Sequence, residues 1–289
     1  LPKFTYEQLR EARRAAAQML SNPLVLRTFL EVYAGQKMPA SPSRRALQQA
    51  WYERLGERTG DDNRLLLDVA RMCMEQQAQA LDLDALYDEA RTASEVRRTD
   101  VAAPFTRLLR REGVLGLVRG EQTEVVFAMD RYLEQAAAYA LVEDGAAATP
   151  AGLLATHDKL KDWPLVDEAL RNALELRMAQ QGRGFLWDLI DAGGEKASEL
   201  AGEALARLVL DTRDPEGVAK ELMSDVTEGD LHAAMAAAAE LEEELAYALR
   251  CDFLQAVVAG VPDALAPTEA EMKLREALAS ALWEAGRQS

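Results

Sequence analysis

Almost every stretch of this chain repeats its apolar residues at a period near 3.6, and no stretch alternates them convincingly. That pattern gives each helix one apolar stripe and denies a sheet the period of two with which a strand buries one face. The expected fold class is therefore all-α: an irregular multi-helix bundle of about ten to twelve helices, divisible into two helical subdomains. At 289 residues the chain is long enough to bury a core unaided.

Start and stop signals divide the pattern. Thr5 with Gln8 reads as a capping box opening a helix over 5–20. Residues 24–33 are apolar nearly all round, so that helix is expected to be central and to end at Gly35. A long helix is expected over 63–94, weakest near Asp82, and another carrying Val125, Val126, Met129, Tyr132, Leu133, Ala136, Tyr139 and Ala140 inward. Between them Pro104, Gly113, Gly116 and Gly120 cut an arginine-rich stretch into short pieces.

The polar, small-residue run 143–149 marks a border between an N-terminal subdomain over 1–142, with the arginine-rich segment, and an acidic C-terminal one over 149–289. Thr149 ahead of Pro150 and Asp214 ahead of Pro215 read as N-caps followed by a proline at the first helical position. Thr227 with Asp230 is expected to cap the longest element, reaching Val258 and spanning about 45 Å. Thr268 with Glu271 makes a capping box for a last helix over 270–285. Tryptophans ahead of glycines recur at Trp51, Trp187 and Trp283 with unequal separations, so a bundle is preferred to an array of tetratricopeptide-like or HEAT-like repeats.

The formal net charge is −16, but it is unevenly laid out. Residues 1–50 balance to +5 and residues 201–250 to −8. Such a chain repels phosphate backbones at long range, which disfavours nucleic acid as a partner of the whole molecule. A local exception is 97–119, where Arg97, Arg98, Arg107, Arg110, Arg111 and Arg119 face only Asp100 and Glu112. Arg107, Arg110 and Arg111 stand at i, i+3 and i+4, so a helix there would gather them on one cationic face able to grip carboxylates or phosphate. Few aromatics interleave them, which weakens a single-strand stacking role. Glu240, Glu242, Glu243 and Glu244 form the opposite cluster, a solvated face or a docking surface for a basic partner. The alanine run 233–239 beside it suits a close helix contact, within the core or between subunits of a homo-oligomer.

Chemistry-bearing motifs are scarce. His157 and His232 are the two histidines, and the doublet His157–Asp158 lacks the further histidines that a metal-dependent phosphohydrolase site needs. Cys73 and Cys251 have no neighbouring Cys or His at zinc-ligand spacing. Asp61, Asp62 and Asp68 are the acidic group that invites a magnesium site, yet they read better as a helix-entry cap, and no second acidic motif accompanies them. Phosphate-binding glycine loops and serine-nucleophile elbows are absent from the sequence. No run reaches the ~18 apolar residues of a membrane span, and the first residues lack an apolar signal core.

These readings lead to a cytoplasmic, non-enzymatic helical protein that binds another protein as adaptor, regulator or assembly factor, with no cofactor and no metal. The expected partner-binding residues are Arg107, Arg110, Arg111, Glu240, Glu243 and Glu244. The alternative is nucleic-acid association through the arginine-rich surface, and the third is a magnesium enzyme near Asp61 and Asp62.

Overall fold

The computed structural model describes residues 23–33, 47, 50–54, 62–93, 98–243, 246–261 and 268–288. The architecture is all-α with one small three-stranded sheet. In chain order the labelled elements are α1 (Pro23–Tyr33), α2 (Asp62–Gln76), β1 (Ala80–Asp82), α3 (Leu83–Ala93), α4 (Arg98–Arg107), β2 (Leu115–Arg119), β3 (Thr123–Phe127) and α5 (Asp130–Glu143). There follow α6 (Pro150–Leu160), α7 (Val166–Gln181), α8 (Gly184–Ala192), α9 (Glu195–Thr212), α10 (Pro215–Leu222), α11 (Glu228–Glu243), α12 (Tyr247–Gly260) and α13 (Glu269–Gln288). The expected helix over 5–20 and its capping box lie outside the described residues, as does Gly35.

The chain divides into two compact units, one comprising Leu1–Glu143 with Leu160–Asn172, the other Asp144–Lys159 with Ala173–Ser289. In the first unit α2 buries Leu66, Val69, Ala70 and Cys73, the i, i+3, i+4, i+7 stripe of an amphipathic helix. Alpha-5 buries Leu133, Ala136, Ala137 and Ala140 in the same way. Tyr132 and Tyr139, seven residues apart on α5, meet two adjacent aromatics. Trp51 stacks on Tyr132 at 4.2 Å between ring centroids, and Tyr52 on Tyr139 at 4.5 Å. Trp163, almost wholly buried, ties its segment to the same unit by donating its indole N–H to the Ala78 carbonyl at 3.1 Å.

Three sequence expectations are corrected here. The helix expected over 63–94 is instead α2, strand β1 and α3, broken at the predicted weak point: Gln77 adopts φ +49° and Ala80–Asp82 pairs with β3. Val125 and Val126 do not belong to a helix; they lie in β3, and α5 begins at Asp130. Within β3 the alternation is local, with Val125 and Phe127 buried and Glu124 exposed, and its β-branched residues suit a pleated surface. The element expected from Thr227 to Val258 is two helices. Arg250 and Glu242 form an ion pair at 2.6 Å, whereas eight residues along a straight helix lie about 12 Å apart.

Caps fall where expected. Thr149 Oγ1 accepts the Gly152 N–H, Asp214 accepts the Gly217 N–H, and Thr268 and Glu271 satisfy each other's backbone N–H groups at 3.2 Å. Thr227 and Asp230 do the same with the shorter carboxylate.

In the second unit α9 lies directly against α11. Gly202 of α9 faces Ala236, and a Cβ placed on it would stand 2.9 Å from the Ala233 carbonyl oxygen and the Ala237 nitrogen. Ala233, Ala234 and Ala237 are fully buried. The side of the run that carries Ala233 and Ala237 is therefore covered by a helix of its own unit, while Ala239 is exposed.

Candidate protein-interaction surface

The arginine-rich segment runs from helix into sheet. Alpha-4 ends at Arg107, and Leu108–Glu112 continue as a wider π turn. Gly113 closes that turn in the left-handed region at φ +65°, donating its N–H to the Leu108 carbonyl. Phe105 and Leu108 are buried and hold the turn down, while Arg107 and Arg110 are exposed. The segment is thus helical, but the π turn replaces the α spacing on which a single Arg107–Arg110–Arg111 face depends. The side chain of Arg111 lies outside the described residues.

Two residues later β2 begins. The sheet order is β1-β3-β2, with both pairings antiparallel. Beta-2 is therefore an edge strand, hydrogen-bonded to β3 alone among the described strands. Its start is buried at Leu115, and its remainder emerges from the protein: Leu117 is 39% exposed and Val118 48%, followed by exposed Arg119. Natural edges are usually blunted by charge, proline, a bulge or a covering element. Here Arg119, at the strand's end, is its one charged residue.

The other predicted residues are less concentrated. Glu240 is half-buried on α11, and Glu242 is held by Arg250, whose side chain is 7% exposed. The side chain of Glu243, and the whole of Glu244, lie outside the described residues. The arginines and the glutamates belong to different units.

The alternative chemistries find little to build on. Asp61 is outside the described residues and the side chain of Asp62 likewise; Asp68 accepts from Arg71 at 2.9 Å, and Arg71 also holds Glu143 at 2.9 Å. Among the described residues no group of three or more His, Cys, Asp or Glu is placed to hold a metal ion. His157 contacts its own neighbour Asp158 at 3.5 Å. Cys73 is buried, and burial pushes its thiol up to about 12; burial raises the Cys251 thiol too. A thiol so shifted is a poor nucleophile at neutral pH.

Apolar exposure recurs in the second unit on α13, where Leu274 and Ala281 face the core and Trp283 is 70% exposed. No described helix is long and apolar enough to cross a membrane. Neither a family model, nor a curated protein, nor a solved structure matches this chain.

Sequence reasoning found the arginines but missed the strand edge beside them. The available signal was the β-branched and aromatic content of 123–127, Thr123, Val125, Val126 and Phe127, bounded by a Gly120–Gln122 turn.

Proposed function

We propose that this chain is a non-enzymatic helical protein that works by binding another protein, as adaptor, regulator or assembly factor. One observation carries the reading: an edge strand that pairs with β3 alone among the described strands, with Leu117 and Val118 exposed, emerges directly from a cationic turn. Leu117 and Val118 project to opposite faces of the strand, so exposed apolar side chains flank its outer edge on both sides, where an added strand would cover them. The reading places the protein in the cytoplasm, and its two free, buried cysteines suit a reducing compartment.

A second reading, nucleic-acid association, has one feature in its favour. Arg107 and Arg110 are exposed at the end of α4 and in the turn that follows it. The net charge opposes it.

One experiment separates them. The tagged chain is used to capture partners from a native lysate at low and moderate salt, beside a Leu117→Lys, Val118→Lys variant and a Trp283→Ala control. Binding of labelled duplex and single-stranded DNA and RNA is measured in parallel, with Arg107, Arg110 and Arg111 changed to Gln. The expected result is a stoichiometric protein partner that survives moderate salt and is lost from the double-lysine variant. Nucleic-acid binding is expected to be no tighter than the ~10⁻⁴–10⁻⁶ M of non-specific association. Tight nucleic-acid binding that the arginine substitutions abolish would replace the first reading by the second.

A further inference from the structure

We propose that the outer edge of β2 is a docking site for an extended acidic segment of the partner protein, which adds to the sheet as a fourth strand. The proposal rests on the protein-binding reading and names the chemistry of what is bound.

The ladder settles which backbone groups the edge offers. Ala128 donates to the Val114 carbonyl at 2.8 Å, and Gly120 donates to the Gln122 carbonyl at 3.1 Å. With Gly116 opposite Val126 and Val118 opposite Glu124, the even-numbered residues of β2 occupy the hydrogen-bonded positions toward β3. Leu115, Leu117 and Arg119 therefore direct their N–H and C=O groups away from β3, to the side where no described strand pairs. Leu115 is buried, so an incoming strand finds the donors and acceptors it needs on Leu117 and Arg119.

Side chains define what that strand carries. Leu81, Val125 and Leu117 form one cross-strand row on the inner face. The first two are fully buried and the row runs out on Leu117, still 39% exposed. An apolar residue of the added strand, opposite Leu117, extends the row by one and covers it.

Charge selects the rest. Glu121 and Glu124 are exposed near Arg119 at the hairpin tip, so that end carries both signs. Arg110, exposed in the turn that feeds the strand's start, lies in a stretch with six arginines against two acids over 97–119. The segment is thus apolar in alternate positions and acidic at the end beside Arg110.

The test uses the full chain and a synthetic nonapeptide of alternating valine and threonine with three glutamates at one end. Its counterparts carry three lysines instead, or N-methyl groups on every second backbone nitrogen in either phase. Amide exchange by NMR reports the edge: the N–H groups of Leu117 and Arg119 are expected to exchange fast in the free protein and to slow at least tenfold with the acidic peptide. One methylation phase abolishes the effect and the other is tolerated, because a strand presents alternate N–H groups to each neighbour.

On the protein side, Leu117→Pro deletes an outward N–H while keeping the bonds to β3, a position where an edge strand tolerates proline. It should weaken the peptide at least tenfold with an unchanged helix signal in circular dichroism. Arg110→Gln should weaken the acidic peptide severalfold and narrow its advantage over the lysine one. Equal binding of both peptides, insensitivity to methylation phase, or no protection at Leu117 and Arg119 would overturn the proposal. If no peptide protects these amides while the double-lysine variant still releases the captured partner, strand addition fails and the protein-binding reading stands. Protection by the acidic peptide, sensitive to Leu117→Pro, supports strand addition even where lysate capture returns nothing.

Discussion

Replacing Gly202 by alanine sets two effects of opposite sign against each other. Alpha-9 carries Gly202 in its interior, where alanine is the better helix former by about 0.8–1.0 kcal/mol. On propensity alone the variant should be more stable. The structure says otherwise, because the new Cβ would overlap Ala236 and stand 2.9 Å from two backbone atoms of α11, the Ala233 oxygen and the Ala237 nitrogen. Neither the Ala236 methyl nor a backbone atom can rotate out of the way, so the two helices must separate along a seam of fully buried alanines. Overpacking a tight interior costs roughly 1–3 kcal/mol, which exceeds or cancels the propensity gain. The expected net destabilisation is therefore about 0–2 kcal/mol for Gly202→Ala and clearly larger for Gly202→Val. For a chain of this size each kcal/mol moves Tm by roughly 2–4 °C. Thermal and urea unfolding should place Gly202→Val lowest, with Gly202→Ala at or below the parent. Gly184, at the first position of α8 with no atom within 4 Å of an added Cβ, is the internal control, and Gly184→Ala should be neutral or stabilising. Ala236→Gly added to Gly202→Ala should restore only part of the loss, since the backbone contacts remain. A Gly202→Ala protein more stable than the parent would refute the close α9–α11 contact.

Two further expectations follow from buried ionisable groups. Burial raises the phenols of Tyr52 and Tyr139 above their ordinary range. A phenol that holds its proton more tightly when folded contributes fully below the unfolded value near 10 and loses that contribution as pH rises above it. Tm should accordingly fall above about pH 10, and Tyr52→Phe with Tyr139→Phe should blunt that fall while keeping the stacked rings; an unaltered alkaline profile would count against the buried stack. Cys73, with its thiol at about 12, should resist a thiol-specific disulfide reagent at pH 8 in the native state and react at once in denaturant, and fast native labelling would contradict its burial.

Much of the helical layout was legible locally. The caps at Thr149, Asp214, Thr227 and Thr268 are satisfied by bonds spanning three residues, so sequence spacing alone predicts them. The apolar stripe of α2 and the cationic character of 97–119 are local in the same sense. What escaped depends on partners remote in sequence. Ala80–Asp82 has no strand pattern of its own length to show, and becomes a strand because Glu124, Val125 and Val126 pair with it more than forty residues later. Residues 160–172 join the first unit although they follow the polar border, held there in part by the Trp163 bond to Ala78. The element after Thr227 breaks where Glu242 and Arg250 meet, an ion pair that helical periodicity cannot foresee. The candidate site divides along the same line. Its arginines are visible in composition, whereas the outer edge of β2, unpaired among the described strands, exists only because β3 pairs on one side with β1 and on the other with β2, leaving alternate backbone groups of β2 facing outward. Periodicity reports which side of an element is buried; which backbone groups remain unpaired is decided only when the chain returns on itself.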